Sequence, residues 1–92
     1  MPEVMFQIRW PDGHEETCYS PSTVIRDYLK ADTPYDLAEF LDRVVTGLDH
    51  AARRVEAKLG SRCGIADAEA RRISATAKRF KAEERILCLS LT

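Results

Sequence analysis

The sequence predicts an α+β domain in the order ββαααβ, one unit spanning residues 1–92. Its N-terminal β-hairpin and C-terminal strand share one sheet, with one short and two longer helices packed on it. Three observations carry this. An alternating apolar run near the start leads into a tight-turn signal and a second short run, the pattern of an antiparallel hairpin. A long central stretch repeats its apolar positions at steps of three and four, the period of an amphipathic helix. The chain then closes on "RILCLSL" at 85–91, apolar on both faces, as suits a central strand rather than an edge.

In "VMFQIRW" at 4–10, Val4, Phe6, Ile8 and Trp10 fall on one side of a strand. "PDG" follows at 11–13, with proline setting φ and glycine free to take a positive one. A three-residue loop with a glycine bulge places Phe6 opposite Cys18 and Trp10 opposite His14. A loop of two or four residues would slip the register and turn Tyr19 inward. "SPSTVIRDYL" then begins a short helix, with Ser20 as its cap and Pro21 at its first position. Val24, Ile25, Tyr28 and Leu29 would line one side of it.

After "KADT", Thr33 is expected to cap a second helix that has Pro34 at its first position. Leu37, Phe40, Leu41, Val44, Val45, Leu48, Ala52, Val55 and Leu59 form its stripe, and Gly60 stops it. Such a helix would be roughly 40 Å long, more than a compact domain of this size needs. Part of its stripe is therefore expected to meet another chain. A third helix, from about Ile65 to Phe80, would turn Ala66, Ala70, Ile73, Ala77 and Phe80 toward the second.

Fourteen basic and fifteen acidic residues leave a net charge of −1, which supplies no broad field for nucleic acid or an anionic membrane. No apolar run approaches the roughly 20 residues of a membrane span. "MPEVMFQIRW" has charges within its apolar stretch and no basic lead, unlike a secretory signal. The expected compartment is the cytoplasm. Cys18, Cys63 and Cys88 are odd in number and contain no CxxC pair. Three reduced thiols are expected, at least two of them packed as small apolar groups.

The densest chemistry lies in "RWPDGHEETCYSPS" at 9–22. His14 and Cys18 would stand roughly 13 Å apart along an extended strand, too far for a nucleophile and its base. Such a pair would need His50 or a partner subunit. The histidines and cysteines also lack the paired spacing of a zinc site. Asp12, Glu15 and Glu16 read as a solvated hairpin end able to bind a cation weakly, and Glu39 and Asp42 as a helix's polar face. Arg53, Arg54, Lys58, Arg62, Arg71, Arg72, Lys78 and Arg79 make the helical half basic. Without an aromatic stacking platform, nucleic-acid binding ranks third. No glycine-rich phosphate loop is present. No catalytic residue, metal or cofactor is therefore assigned. Contacts with a ligand or partner are expected from Trp10, His14, Cys18, Tyr19, Arg26 and Tyr28.

With those residues in view, "RWPDG", "EETCYSPSTVIRDYL", "YDLAEFLDR" and "RRVEAKLGSRC" resemble the small nitrogen-starvation-response proteins of bacteria encoded in clusters with a nitrilase. The likeness runs from about Met1 to Phe80, and "WPDG" followed by "ETCYSPS" is its most specific part. The resemblance implies a cytosolic bacterial protein induced or needed when nitrogen is scarce. It implies work beside a nitrilase pathway and supplies no catalytic residues.

The expected function is thus a non-enzymatic accessory or interaction protein, a homo-oligomer with a dimer favoured, with a further protein partner from the same pathway allowed. A flat apolar patch would support it. A deep pocket lined by Cys18, Tyr19, Arg26 and Tyr28 would instead mark a small enzyme or ligand-binding module built on Trp10 to Tyr28.

Overall fold

Alternation along β1 (Val4–Arg9) buries Val4, Phe6 and Ile8 and leaves Met5 and Arg9 exposed. The computed structural model describes residues 2–92. β2 (Glu15–Ser20) pairs antiparallel with β1, Phe6 opposite Cys18 as the three-residue loop requires. Trp10 N–H donates to the His14 carbonyl at 2.7 Å, and Gly13 closes the turn with φ of 90°, a conformation that favours glycine.

Two expected helix starts are corrected. The first concerns Ser20 and Pro21. Ser20 Oγ donates to the Ser22 carbonyl at 2.8 Å and accepts from the Ser22 N–H at 3.3 Å. It is therefore held in a local turn. Ser22 is the cap, accepting from Val24 N–H, and the helix is a 3₁₀ turn over Thr23–Asp27. Such segments are short because their hydrogen-bond geometry is poorer than an α-helix's.

The second correction adds a strand. Thr33 and Pro34 belong to β3 (Thr33–Asp36), which pairs antiparallel with the chain's last strand, β4 (Arg85–Leu91). β3 is an edge strand, where a proline's missing N–H is tolerated. Thr33 Oγ1 donates to the Ala31 carbonyl instead of capping a helix. The four-stranded sheet has the order β2-β1-β4-β3, so β4 is central, as its two apolar faces require. A register shift between Gln7 and Ile8 makes room for one extra β4 residue, the signature of a β-bulge.

α1 (Leu37–Leu59) therefore starts at Leu37, with Asp36 as a cap that makes no side-chain bond. Its first donors are taken by backbone. Leu37 N–H donates to the Glu84 carbonyl at 2.8 Å and Ala38 N–H to that of Ala82 at 3.1 Å. Those bonds satisfy two of the four N–H groups that a helix start leaves open. Gly60, at φ of 83°, ends the helix as expected. α2 (Gly64–Ala77) ends before Phe80.

Both helices cover the side of the sheet that carries Val4, Phe6, Ile8, Cys18, Ile86 and Cys88. Phe40, Val44 and Leu48 from α1 and Ile73 and Ala77 from α2 complete that core. At about 1.5 Å per residue α1 spans about 35 Å, close to the molecule's 39 Å long axis. Leu48 is fully buried, while Val45 is 39% and Leu59 76% exposed. The surplus of the stripe is thus confined to a few positions.

Gly47 admits the 3₁₀ turn against α1: an added Cβ would lie 2.7 Å from Ile25 Cδ1 and 3.1 Å from the Tyr28 ring. Gly47→Ala is expected to destabilise by about 1–3 kcal/mol through overpacking. Gly64→Ala, where a Cβ meets nothing, is expected to be neutral or to stabilise by up to about 1 kcal/mol. Urea unfolding compares the two; equal effects would contradict the packing at Gly47.

Candidate functional site

β2 carries its polar residues to an edge that α2 reaches. Arg72 Nη1 donates to Glu16 Oε1 at 2.7 Å, and its Nε and Nη2 donate to the two Glu69 oxygens at 3.0 and 3.2 Å. Arg72 Nη2 also contacts Cys18 Sγ at 3.6 Å. Glu69 Oε2 accepts from the Tyr19 backbone N–H at 2.9 Å. A carboxylate therefore occupies an edge-strand donor that would otherwise be open to another strand.

Burial, more than this network, decides the chemistry of Cys18. Burial pushes its thiol up to about 12, the Glu16 charge adds to that, and Arg72 opposes both without reversing them. Cys18 Sγ donates to Glu16 Oε1 at 3.4 Å. Burial, with a smaller push from Asp32, raises Cys88 to about 11. Neither is a thiolate at neutral pH, and the thiolate is the nucleophilic form. Burial raises the Glu16 carboxyl too, but the hydrogen bond and charge of Arg72 outweigh it, with small help from Cys18 and Trp10. Its pKa lies below the ordinary value.

The six residues expected to touch a ligand or partner do not share one cavity. Trp10 is buried, stacked on Phe80 with centroids 5.7 Å apart and edge-on to Phe40 at 6.4 Å. Its Nε1 has no hydrogen-bond partner among the described residues, although the indole lowers the Glu16 carboxyl slightly. Trp10, His14 and Glu16 line a small cavity of about 80 Å³ with Asp12, Arg79 and Phe80. His14 is exposed, its Nε2 4.0 Å from Glu16 Oε2.

Tyr28 lies elsewhere, its hydroxyl 3.1 Å from His50 Nδ1. With Glu39, Asp42, Arg43 and Thr46 it lines a shallow polar groove of about 340 Å³. Arg26 is exposed on the 3₁₀ turn, and Tyr19 is half-buried on β2. Cys18, Tyr19 and Arg26 line none of these cavities. Among the described residues no group of three or more His, Cys, Asp or Glu side chains is placed to hold a metal ion.

The uncovered side of the sheet is the alternative site. Met5, 40% exposed, shares it with Gln7, Arg9, Thr17 and Tyr19. Leu87 joins them because it pairs directly with Arg9 and Pro34; half-buried Leu89 follows along β4. Arg9 Nε donates to Glu15 at 2.8 Å and frames one end. Near the other, partial burial and then Glu3 raise the Tyr19 hydroxyl above its ordinary pKa.

These features define an α+β protein with a helix layer on one sheet face, an uncovered opposite face and its buried thiols held protonated. Among the described residues no helix is long and apolar enough to cross a membrane. The chain belongs to the family described as nitrogen starvation-induced protein NitG, which matches residues 5–91. No curated protein and no solved structure matches it.

Two measurements check the thiol and carboxylate assignments. An aromatic disulfide reagent at pH 8 is expected to modify half-buried Cys63 first and Cys18 and Cys88 only on unfolding; three equal rates would contradict this. Glu16 binds its proton less tightly when folded, so its stabilisation is present above the ordinary value of 4.5 and lost as pH falls through the lowered one. The stability gap between wild type and Glu16→Gln is therefore expected to narrow below that pH, measured by urea unfolding across an acid series. A gap that widens on acidification would contradict the Arg72 pairing.

Proposed function

We propose that this protein is a non-enzymatic interaction protein of the bacterial nitrogen-starvation response. It acts in the cytoplasm as a homodimer joined through the open sheet face. The observation that carries this reading is the one-sided cover of the sheet. Both helices lie over one side, while Met5, Leu87 and Leu89 remain on the other, framed by Gln7, Arg9 and Thr17. The raised pKa values of Cys18 and Cys88 support a role other than thiol catalysis. Arg53, Arg62 and Arg72 are paired with Asp49, Asp67, Glu16 and Glu69, which weakens the case for a phosphate-binding face. Work beside a nitrilase pathway is supported by the sequence resemblance alone.

A second copy is the simplest occupant. Met5 and Leu87 lie toward opposite ends of the β1–β4 pair, so a twofold axis across the strands sets each Met5 against the partner's Leu87 end. The face measures roughly 20 by 20 Å from strand spacing and rise. Two such faces would bury roughly 800 Å², the range of weak or transient association. Sedimentation equilibrium from micromolar to millimolar concentration is expected to show the mass rising from 10.4 kDa toward its double. Leu87→Glu is expected to hold it at the monomer value without unfolding the chain. A wild-type mass that stays constant throughout would overturn the dimer.

A further inference from the structure

On the helix layer, away from the proposed dimer face and independent of it, an apolar cleft of about 330 Å³ opens between the start of α1 and the end of α2. We propose that it is a binding site for a small amphiphilic carboxylate, its hydrocarbon or aromatic body seated between the helices and its carboxylate at Lys78.

Three features support the assignment. The first is shape. Leu41 and Phe80 stand as walls, while Ala38, Ala77 and Ala82 are too short to fill the space between. The volume falls at the lower end of small-molecule sites, which are mostly apolar with a few polar groups. The second is rigidity. The bonds from Leu37 and Ala38 N–H to the Glu84 and Ala82 carbonyls pin the loop that forms one wall. Phe80 is fixed by its stack on Trp10, with 13° between the planes. A preorganised cleft loses less entropy when a ligand enters.

The third is charge. Ser74 and Lys78 are the polar side chains of the lining, and the lining contains no carboxylate. Lys78 is exposed and has no ion-pair partner among the described residues, whereas Arg43 has one and Arg62 and Arg72 have two each. Apolar walls select the body and the unpaired ammonium selects an anionic head. A cationic head would be repelled.

Titration of the full chain with 3-phenylpropionate, 3-phenylpropanol and 3-phenylpropylamine separates body from head, since all three carry one body. Backbone amide shifts provide the map, and fluorescence of Trp10, the chain's one tryptophan, reports through its Phe80 stack. Saturable shifts are expected at residues 37–41 and 74–82, with the carboxylate binding roughly twofold to fivefold tighter than the alcohol, as for an exposed ion pair. The amine should bind weakest. Lys78→Gln should bring the carboxylate down to the alcohol's affinity and leave the alcohol unchanged. Ala38→Phe, at an exposed helix position, should fill the cleft and abolish binding of all three while the protein stays folded by circular dichroism. Shifts outside the cleft, equal affinity for the three heads, binding that survives Ala38→Phe, or no saturation by any of them would each overturn the proposal. So would saturation by an amphipathic peptide where the carboxylate gives none.

Discussion

The fold depends on where its last strand goes. β4 enters between β1 and β3, and each of those strands has it as a neighbour. Without β4, β1 and β2 would be a lone hairpin, which is marginal in water, and β3 would have no partner. The same strand supplies Ile86 and Cys88 to the core. The segment just before it supplies the carbonyls that satisfy the first N–H groups of α1. Sheet closure and the start of the main helix thus depend on one segment, residues 82–91, which joins β1 from nearly the other end of the chain.

That insertion also divides the molecule into surfaces with different chemistry. Alternation along β4 buries Ile86 and Cys88 and turns Leu87 to the uncovered side. The core side is sealed by α1 and α2, and Arg72 ties α2 to the β2 edge through Glu16 and Glu69. Polar groups that might have formed a reactive centre are consumed in that tie. Cys18 becomes a buried thiol, and Glu69 guards an edge N–H. The two proposals above draw on shape and apolar surface: a stripe on the sheet and a cleft between the helices.

Much of this was legible in local sequence. The hairpin, its three-residue turn, the central position of the last strand, the stop at Gly60 and the packed thiols follow from alternation, turn chemistry and composition. β3 did not follow. Thr33-Pro34 carries the signal of a helix cap and first position, and four residues are too few for a period. Only Cys88, Leu87 and Ile86, more than fifty residues on, make a strand of them. Ser20 and Ser22 carry the same capping chemistry two residues apart, so choosing between them needed the turn that binds Ser20 to Ser22.

The site divides in the same way. Trp10 and Cys18 were visible as residue types, but the burial that keeps Cys18 a thiol, with Arg72 from 54 positions away packed against it, was not. Arg72 itself looked like one more charge on a basic helix. The cleft is formed by what is missing, at Ala38, Ala77 and Ala82; Ala77, in a helical stripe, reads as close packing until the neighbouring backbone is placed.

The central claim is that β4 gives the sheet a covered face and a working one. Methyl relaxation by an inert paramagnetic cosolute, recorded on dilute and concentrated samples, tests it most directly. The Met5, Leu87 and Leu89 methyls should be relaxed strongly when dilute and become shielded together when concentrated, while Val44, Leu48 and Ile73 stay shielded in both. Open-face methyls equally relaxed at both concentrations would contradict the account, as would shielding that develops only on the helix layer.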